Sequence, residues 1–169
     1  MDHILRELLE VNQVETFNFF SSGLQDVLGG KRFDPDQMLY VASVLAHYTQ
    51  IPRQSDNGMP LMANLDEVLD QFIVRQDPLN PLTDSETLEI YGSQVLLFAG
   101  FFRDHMSRRH NVTLYDRVGQ SFYARASMYS RDTKKSQLFD NLSESFPWWT
   151  GVCRDLHKNL IDGRFLLNI

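Results

Sequence analysis

The densest group of side chains able to do chemistry lies between residues 103 and 116: Arg103, Asp104, His105, Arg108, Arg109, His110 and Asp116. A histidine among carboxylates and arginines suits general acid–base work, because its pKa lies near neutrality, or the holding of a phosphate. The same residues have a simpler use. Arg108, Arg109 and His110 suit a helix C-terminus, where cations offset the negative end of the dipole. His105, three residues after Phe102, is then a hydrogen-bonded boundary residue. No catalytic motif frames the group, so the simpler use is the expectation. If a ligand does bind here, its candidate contacts are His105, Arg108, Tyr115 and Tyr123.

Other chemistries find less support. His105 and His110 are five residues apart and point some 140° from each other at ~100° per residue, whereas a helical zinc pair needs i, i+4 spacing. The single cysteine, Cys153, excludes an internal disulfide and any zinc site built on two thiolates. Asp155 and His157 follow it closely, yet Cys153 also sits between Trp149 and Leu156, where a free cysteine packs as a small hydrophobe. Gly29-Gly30-Lys31 lacks the glycine spacing and the Ser or Thr of a phosphate-binding loop. No metal and no cofactor is expected, and the reading leans away from an enzyme.

The elements that would position these residues are helical. In 169 residues, 43% hydrophobic and 22% charged, a real core is expected and wholesale disorder is excluded. Phe17, Phe20, Leu24, Val27 and Leu28 keep helical spacing up to Gly29-Gly30. Asp34-Pro35-Asp36-Gln37 reads as a helix start, with Asp34 at the N-cap, Pro35 at N1 and Gln37 at N3. That helix should stop before Pro52. Residues 50–60 read as a loop, and a further helix is expected from Leu61 to Arg75, broken at 77–81.

Asp84 can cap a central helix over 85–109 with the stripe Leu88, Tyr91, Val95, Phe98, Phe102 and Met106. Leu97 and Phe101 lie off that stripe, so this helix is expected to be buried on several sides. The next helix, 114–130, carries Tyr115, Val118, Phe122, Ala126 and Tyr129. Leu138, Leu142 and Phe146 mark another before Pro147, and Trp149, Val152, Leu156 and Leu160 the last. No alternating run asks for a strand. The fold class is all-α: one domain, 1–169, a bundle of six or seven helices around the central one.

Phe98-Ala99-Gly100-Phe101-Phe102, a basic stretch, and then Tyr115-Asp116-Arg117-Val118-Gly119-Gln120-Ser121-Phe122-Tyr123 form a pattern. It resembles a family of conserved bacterial proteins of unknown function that carry small-Gly-Phe-Phe followed by Tyr-x-x-x-Gly-x-x-x-Tyr. Leu114 stands where that family has a second tyrosine, and Phe122 where a small residue is usual. The resemblance implies an all-helical bacterial domain and transfers no activity. Read physically, Gly100 and Gly119 are expected to mark the point where their two helices cross, wrapped by Phe101, Phe102, Phe122 and Tyr123.

Charge completes the reading. The net of −6 argues against a nucleic-acid binder. Residues 1–84 hold five Lys and Arg against thirteen Asp and Glu, whereas 103–135 hold eight basic residues against three acidic. Met1 to Glu10 is not built like a secretory leader, and Val95 to Phe102 is too short to span a membrane. A cytoplasmic location without membrane attachment is expected. Trp148 and Trp149 point ~100° apart on a helix, so both cannot face one core layer. Trp148, Arg109 and Arg117 are therefore candidates for an interface with a protein partner or a second copy. The leading function is a non-catalytic protein-interaction or regulatory module. The alternative is an enzyme or small-ligand binder with a pocket between helix 85–109 and helix 114–130. Nucleic-acid binding through 103–135, a third reading, would show steep salt dependence.

Overall fold

The structure, a computed structural model, describes the backbone of residues 2–50, 83–108 and 111–166, and the side chains of 14–48, 83–104, 106–108 and 111–162. The expected loop at 50–60, the helix at 61–75 and its break at 77–81 lie outside the described residues. Every described element is helical, and none of the described helices is long and apolar enough to cross a membrane. The chain divides into two compact units, one drawn from Met1–Pro52 and Lys158–Ile169, the other from Arg53–His157.

In the first unit, α1 (Asp2–Leu28) and α2 (Pro35–Gln50) pack against each other. Phe20, Leu24 and Leu28 of α1, and Met38, Val41, Ala42 and Leu45 of α2, are all buried. Between the helices Gly29 takes φ +53°, a conformation that side chains with a Cβ resist, and its N–H donates to the Gln25 carbonyl at 2.9 Å. Asp34 caps α2 as its sequence foretells. Its Oδ1 accepts the Asp36 N–H at 2.9 Å, and Gln37 Nε2 donates to its Oδ2 at 3.2 Å.

The second unit is built from α3 (Ser85–Leu96), a π-helical turn (Leu97–Phe101), the short α4 (Arg103–Met106), α5 (Val112–Tyr129) and α6 (Thr133–Leu166) as far as His157. Asp84 caps α3 by accepting the Thr87 N–H at 3.1 Å and the Thr87 hydroxyl. Those two bonds favour its carboxylate form and lower its pKa. Asn111 caps α5 in the same way through Leu114 N–H at 3.4 Å. Leu88, Val95, Leu96, Leu97, Phe98 and Ala99 are buried, so the central segment is enclosed on several sides.

Two expectations about element boundaries are corrected. The central helix does not run unbroken over 85–109: Phe102 N–H donates to the Leu97 carbonyl at 3.1 Å, the five-residue step of a π turn, and a turn at Phe102 follows. Such turns insert one residue into a helix and commonly mark functional or strained sites. The expected count of six or seven helices is not matched either. The described residues hold five long helices and the single turn of α4. The two helices expected on either side of Pro147 are one. Phe139, Leu142, Phe146, Trp149, Cys153 and Leu156 are all buried and follow each other at steps of three and four without a phase change at Pro147. Burial of that continuous stripe offsets the ~3 kcal/mol that proline costs inside a helix.

Candidate functional site

The gap between α3 and α5, where a pocket was the alternative, is filled by side chains. Tyr123 is fully buried, its ring 5.8 Å from that of Phe139 and 5.9 Å from that of Phe146. A Cβ on Gly92 would lie only 3.0 Å from the Tyr123 ring, so α3 has yielded a side chain to admit it. Tyr91 and Phe122 close the same space at 5.6 Å between ring centroids. Tyr115 is also buried. Of the other ligand candidates, Arg108 is exposed, and the His105 side chain lies outside the described residues, as does Arg109. Tyr115 and Tyr123 are therefore core residues of α5.

Gly100 and Gly119 do not share a crossing, contrary to the expectation. A Cβ on Gly100 would stand 3.0 Å from Cys153 Cβ and 3.2 Å from Thr150 Cα, so the π turn rests on the backbone of α6. Gly119 instead lies beneath the ring of Phe146, whose Cζ would be 2.2 Å from an added Cβ. Both glycines of the motif thus face α6. The pairing escapes a sequence reading because α6 contributes nothing to the motif itself.

Beside Gly100 three elements meet in a polar cluster. Arg103, at the start of α4, donates from Nη1 to both oxygens of Asp116 at 3.2 and 3.3 Å and from Nη2 to Oδ2 at 3.3 Å. The two N–H groups of Nη1 are also within reach of the Ala99 carbonyl, inside the π turn, at 3.1 Å, and of Thr150 Oγ1 at 3.4 Å, and are shared among these acceptors. The Thr150 hydroxyl lies within donating distance of two acceptors, Asp116 Oδ1 at 3.3 Å and the Pro147 carbonyl at 2.9 Å. It carries one proton and serves one of them at a time. Thr150 is fully buried and Asp116 nearly so. The arginine holds the carboxylate in a charged clamp that joins the π turn, α5 and α6, charge-assisted and partly desolvated, with the Arg103 and Asp116 side chains 25% and 13% exposed.

The remaining candidates follow the same pattern. Cys153 is buried, and desolvation pushes its thiol up to about 12, which keeps it protonated and unreactive at neutral pH. The His157 ring lies against Phe101 at 4.6 Å and Phe102 at 5.8 Å. Arg154 Nε donates to Asp104 Oδ1 at 2.8 Å in a half-exposed pair of modest worth. Among the described residues no three His, Cys, Asp or Glu side chains are grouped to hold a metal ion. The basic stretch is partly spent internally, with Arg103 on Asp116 and Lys135 on Glu89 at 3.4 Å.

On α6 one of the two adjacent tryptophans is partly exposed. Trp149 is fully buried, while its neighbour Trp148 is 38% exposed, the two rings edge to face at 4.8 Å. Arg117, on the outer side of α5, is exposed as well. Thr150 and Gly151, which sequence reasoning passed over, follow the two tryptophans in α6. The signal for them was the unbroken stripe through Pro147, from which the inner and outer faces of α6 can be read. No family model, no characterised protein and no solved structure matches the chain.

Proposed function

We propose that this chain is a non-catalytic, cytoplasmic protein-interaction or regulatory module, with the Trp148 surface as the part that meets its partner. The observation that carries the reading is the contrast inside one helix. Thr150 and Cys153 of α6 are enclosed, while the large aromatic side chain of Trp148 beside them is 38% exposed. Tryptophan and arginine are the residues on which interface energy concentrates, and the exposed Trp148 and Arg117 fit that use.

The test is an affinity capture from the native host with wild type, Trp148→Ala and Arg117→Glu, each first shown to keep the wild-type melting profile. A partner held by wild type, lost with Trp148→Ala and rebound when purified is the expected result. A small molecule that raises the melting temperature equally in wild type and Trp148→Ala, and fails to do so in Tyr123→Phe, would overturn the reading in favour of a ligand site.

A further inference from the structure

Gly151 is unlike the other helical glycines of its unit. Added Cβ atoms at Gly92, Gly100 and Gly119 would come within 3.0, 3.0 and 2.2 Å of a neighbour, whereas at Gly151 nothing lies within 4 Å. A glycine in a helix interior weakens the helix, and the return for it is close approach of another backbone. Among the described residues, nothing makes that approach to Gly151.

Gly151 sits in a defined surface. Asp140, Glu144, Trp148, Gly151 and Asp155 follow at steps of four, four, three and four, one line along the outer face of α6. Trp148 is exposed, and so are the three acidic residues. Their carboxylates have no hydrogen-bonded or ionic partner among the described residues. The line thus has an apolar centre and negative charge at both ends, over a length of ~22 Å at 1.5 Å per residue.

Resting on the interaction reading above, we infer that this face of α6 receives a basic amphipathic helix of a partner protein. Such a helix packs its backbone against Gly151, lays apolar side chains on Trp148, and places Lys or Arg opposite Asp140, Glu144 and Asp155. The indole also offers its face to a cation. A parallel pairing of two copies along this line would set the same carboxylates opposite one another, which favours a basic partner over that form of self-association. A straight helix of about four turns matches the length of the line, and a small residue in its path is what lets two helices come close.

The probe is a dye-labelled 18-residue Lys/Leu amphipathic helix, followed by fluorescence anisotropy with the full chain. A scrambled peptide of the same composition and a Glu/Leu helix serve as comparators. The amphipathic cationic peptide is expected to bind at least tenfold more tightly than either. Trp148→Ala, Gly151→Leu and the pair Glu144→Lys with Asp155→Lys should each weaken it tenfold or more. Gly151→Ala, which keeps the fold and should raise its unfolding midpoint, should weaken it less than Gly151→Leu.

Equal binding of the scrambled peptide, or binding indifferent to Gly151→Leu and Trp148→Ala, would overturn the inference. So would concentration-dependent dimerisation in sedimentation that Gly151→Leu abolishes, because the occupant would then be a second copy. Failure of the peptide while a captured partner still requires Trp148 overturns the basic helix alone and leaves the interaction reading standing.

Discussion

Gly119 and Gly151 are both helix-interior glycines, and a methyl group added to each meets opposite surroundings. At Gly119 it would press into the fully buried ring of Phe146; at Gly151 it would project into open space. The residue type and its helical setting are the same, so neither can be the reason for the difference. At Gly119 the absent side chain is a packing requirement of the fold. At Gly151 no described residue calls for it. The inner face of α6 is explained by packing among the described residues, and the outer face is not.

That division can be broken or sharpened by substitution. The largest effect is expected for Gly119→Ala. Phe146 is locked among Tyr123 and its neighbours and has no room to retreat, so overpacking should cost about 3 kcal/mol or more. Chemical denaturation reads this directly, and a loss under ~1 kcal/mol would mean the inner face is softer than the geometry implies.

Asp116→Ala comes next. It leaves the Arg103 guanidinium with the Ala99 carbonyl and Thr150 alone, and should cost about 2 kcal/mol, with Asp116→Asn milder. A loss for Asp116→Ala no larger than that of an exposed pair such as Asp104 with Arg154 would remove the clamp from the account.

Cys153 gives the inner face a pH signature. Its folded pKa of about 12 stands above the ordinary 9.0, so its thiol is neutral in the fold while the unfolded chain ionises. The stabilisation is therefore complete below about pH 9 and declines as pH rises toward 12, with a slope approaching ~1.4 kcal/mol per pH unit. Alkaline unfolding of wild type and Cys153→Ala should diverge in that window and run parallel below it. Parallel curves throughout would mean that solvent reaches the thiol.

Gly100→Ala should destabilise by about 1 kcal/mol, because strain against Cys153 Cβ and the Thr150 backbone outweighs the gain in helix propensity. A midpoint raised at constant m-value would show that the π turn stands off α6. The smallest effect has the opposite sign: Gly151→Ala should stabilise by up to ~1 kcal/mol. Should it destabilise, the outer face is already occupied by something within the chain, and its assignment to a partner falls.

Much of the secondary structure was legible in residue types alone. Asp34 and Asp84 announced their caps, Gly29 its turn, and Leu88 to Phe98 a helix buried on several sides, because capping and periodicity act within a few residues. The helical boundaries that failed were those where a distant neighbour intervened. Pro147 reads locally as a stop, yet the buried stripe from Phe139 to Leu156 carries α6 past it. The five residues Leu97 to Phe101 read as ordinary helix, yet they form a π turn beside the Arg103 clamp.

The candidate site was legible only as a collection of parts. From sequence, Arg103 and Asp116 are two members of a charged stretch, and nothing local says that they pair with each other or that Thr150 completes the cluster. The amino-acid sequence by itself determined the helical class, the capped starts of α2 and α3, and the division of Trp148 from Trp149, since these follow from spacing along one chain segment. Only the tertiary structure decided which glycines are filled and which is open, where the charges pair, and that the thiol is shut away. Those outcomes depend on atoms brought within 3 or 4 Å from positions tens of residues apart, and no local pattern specifies such a meeting.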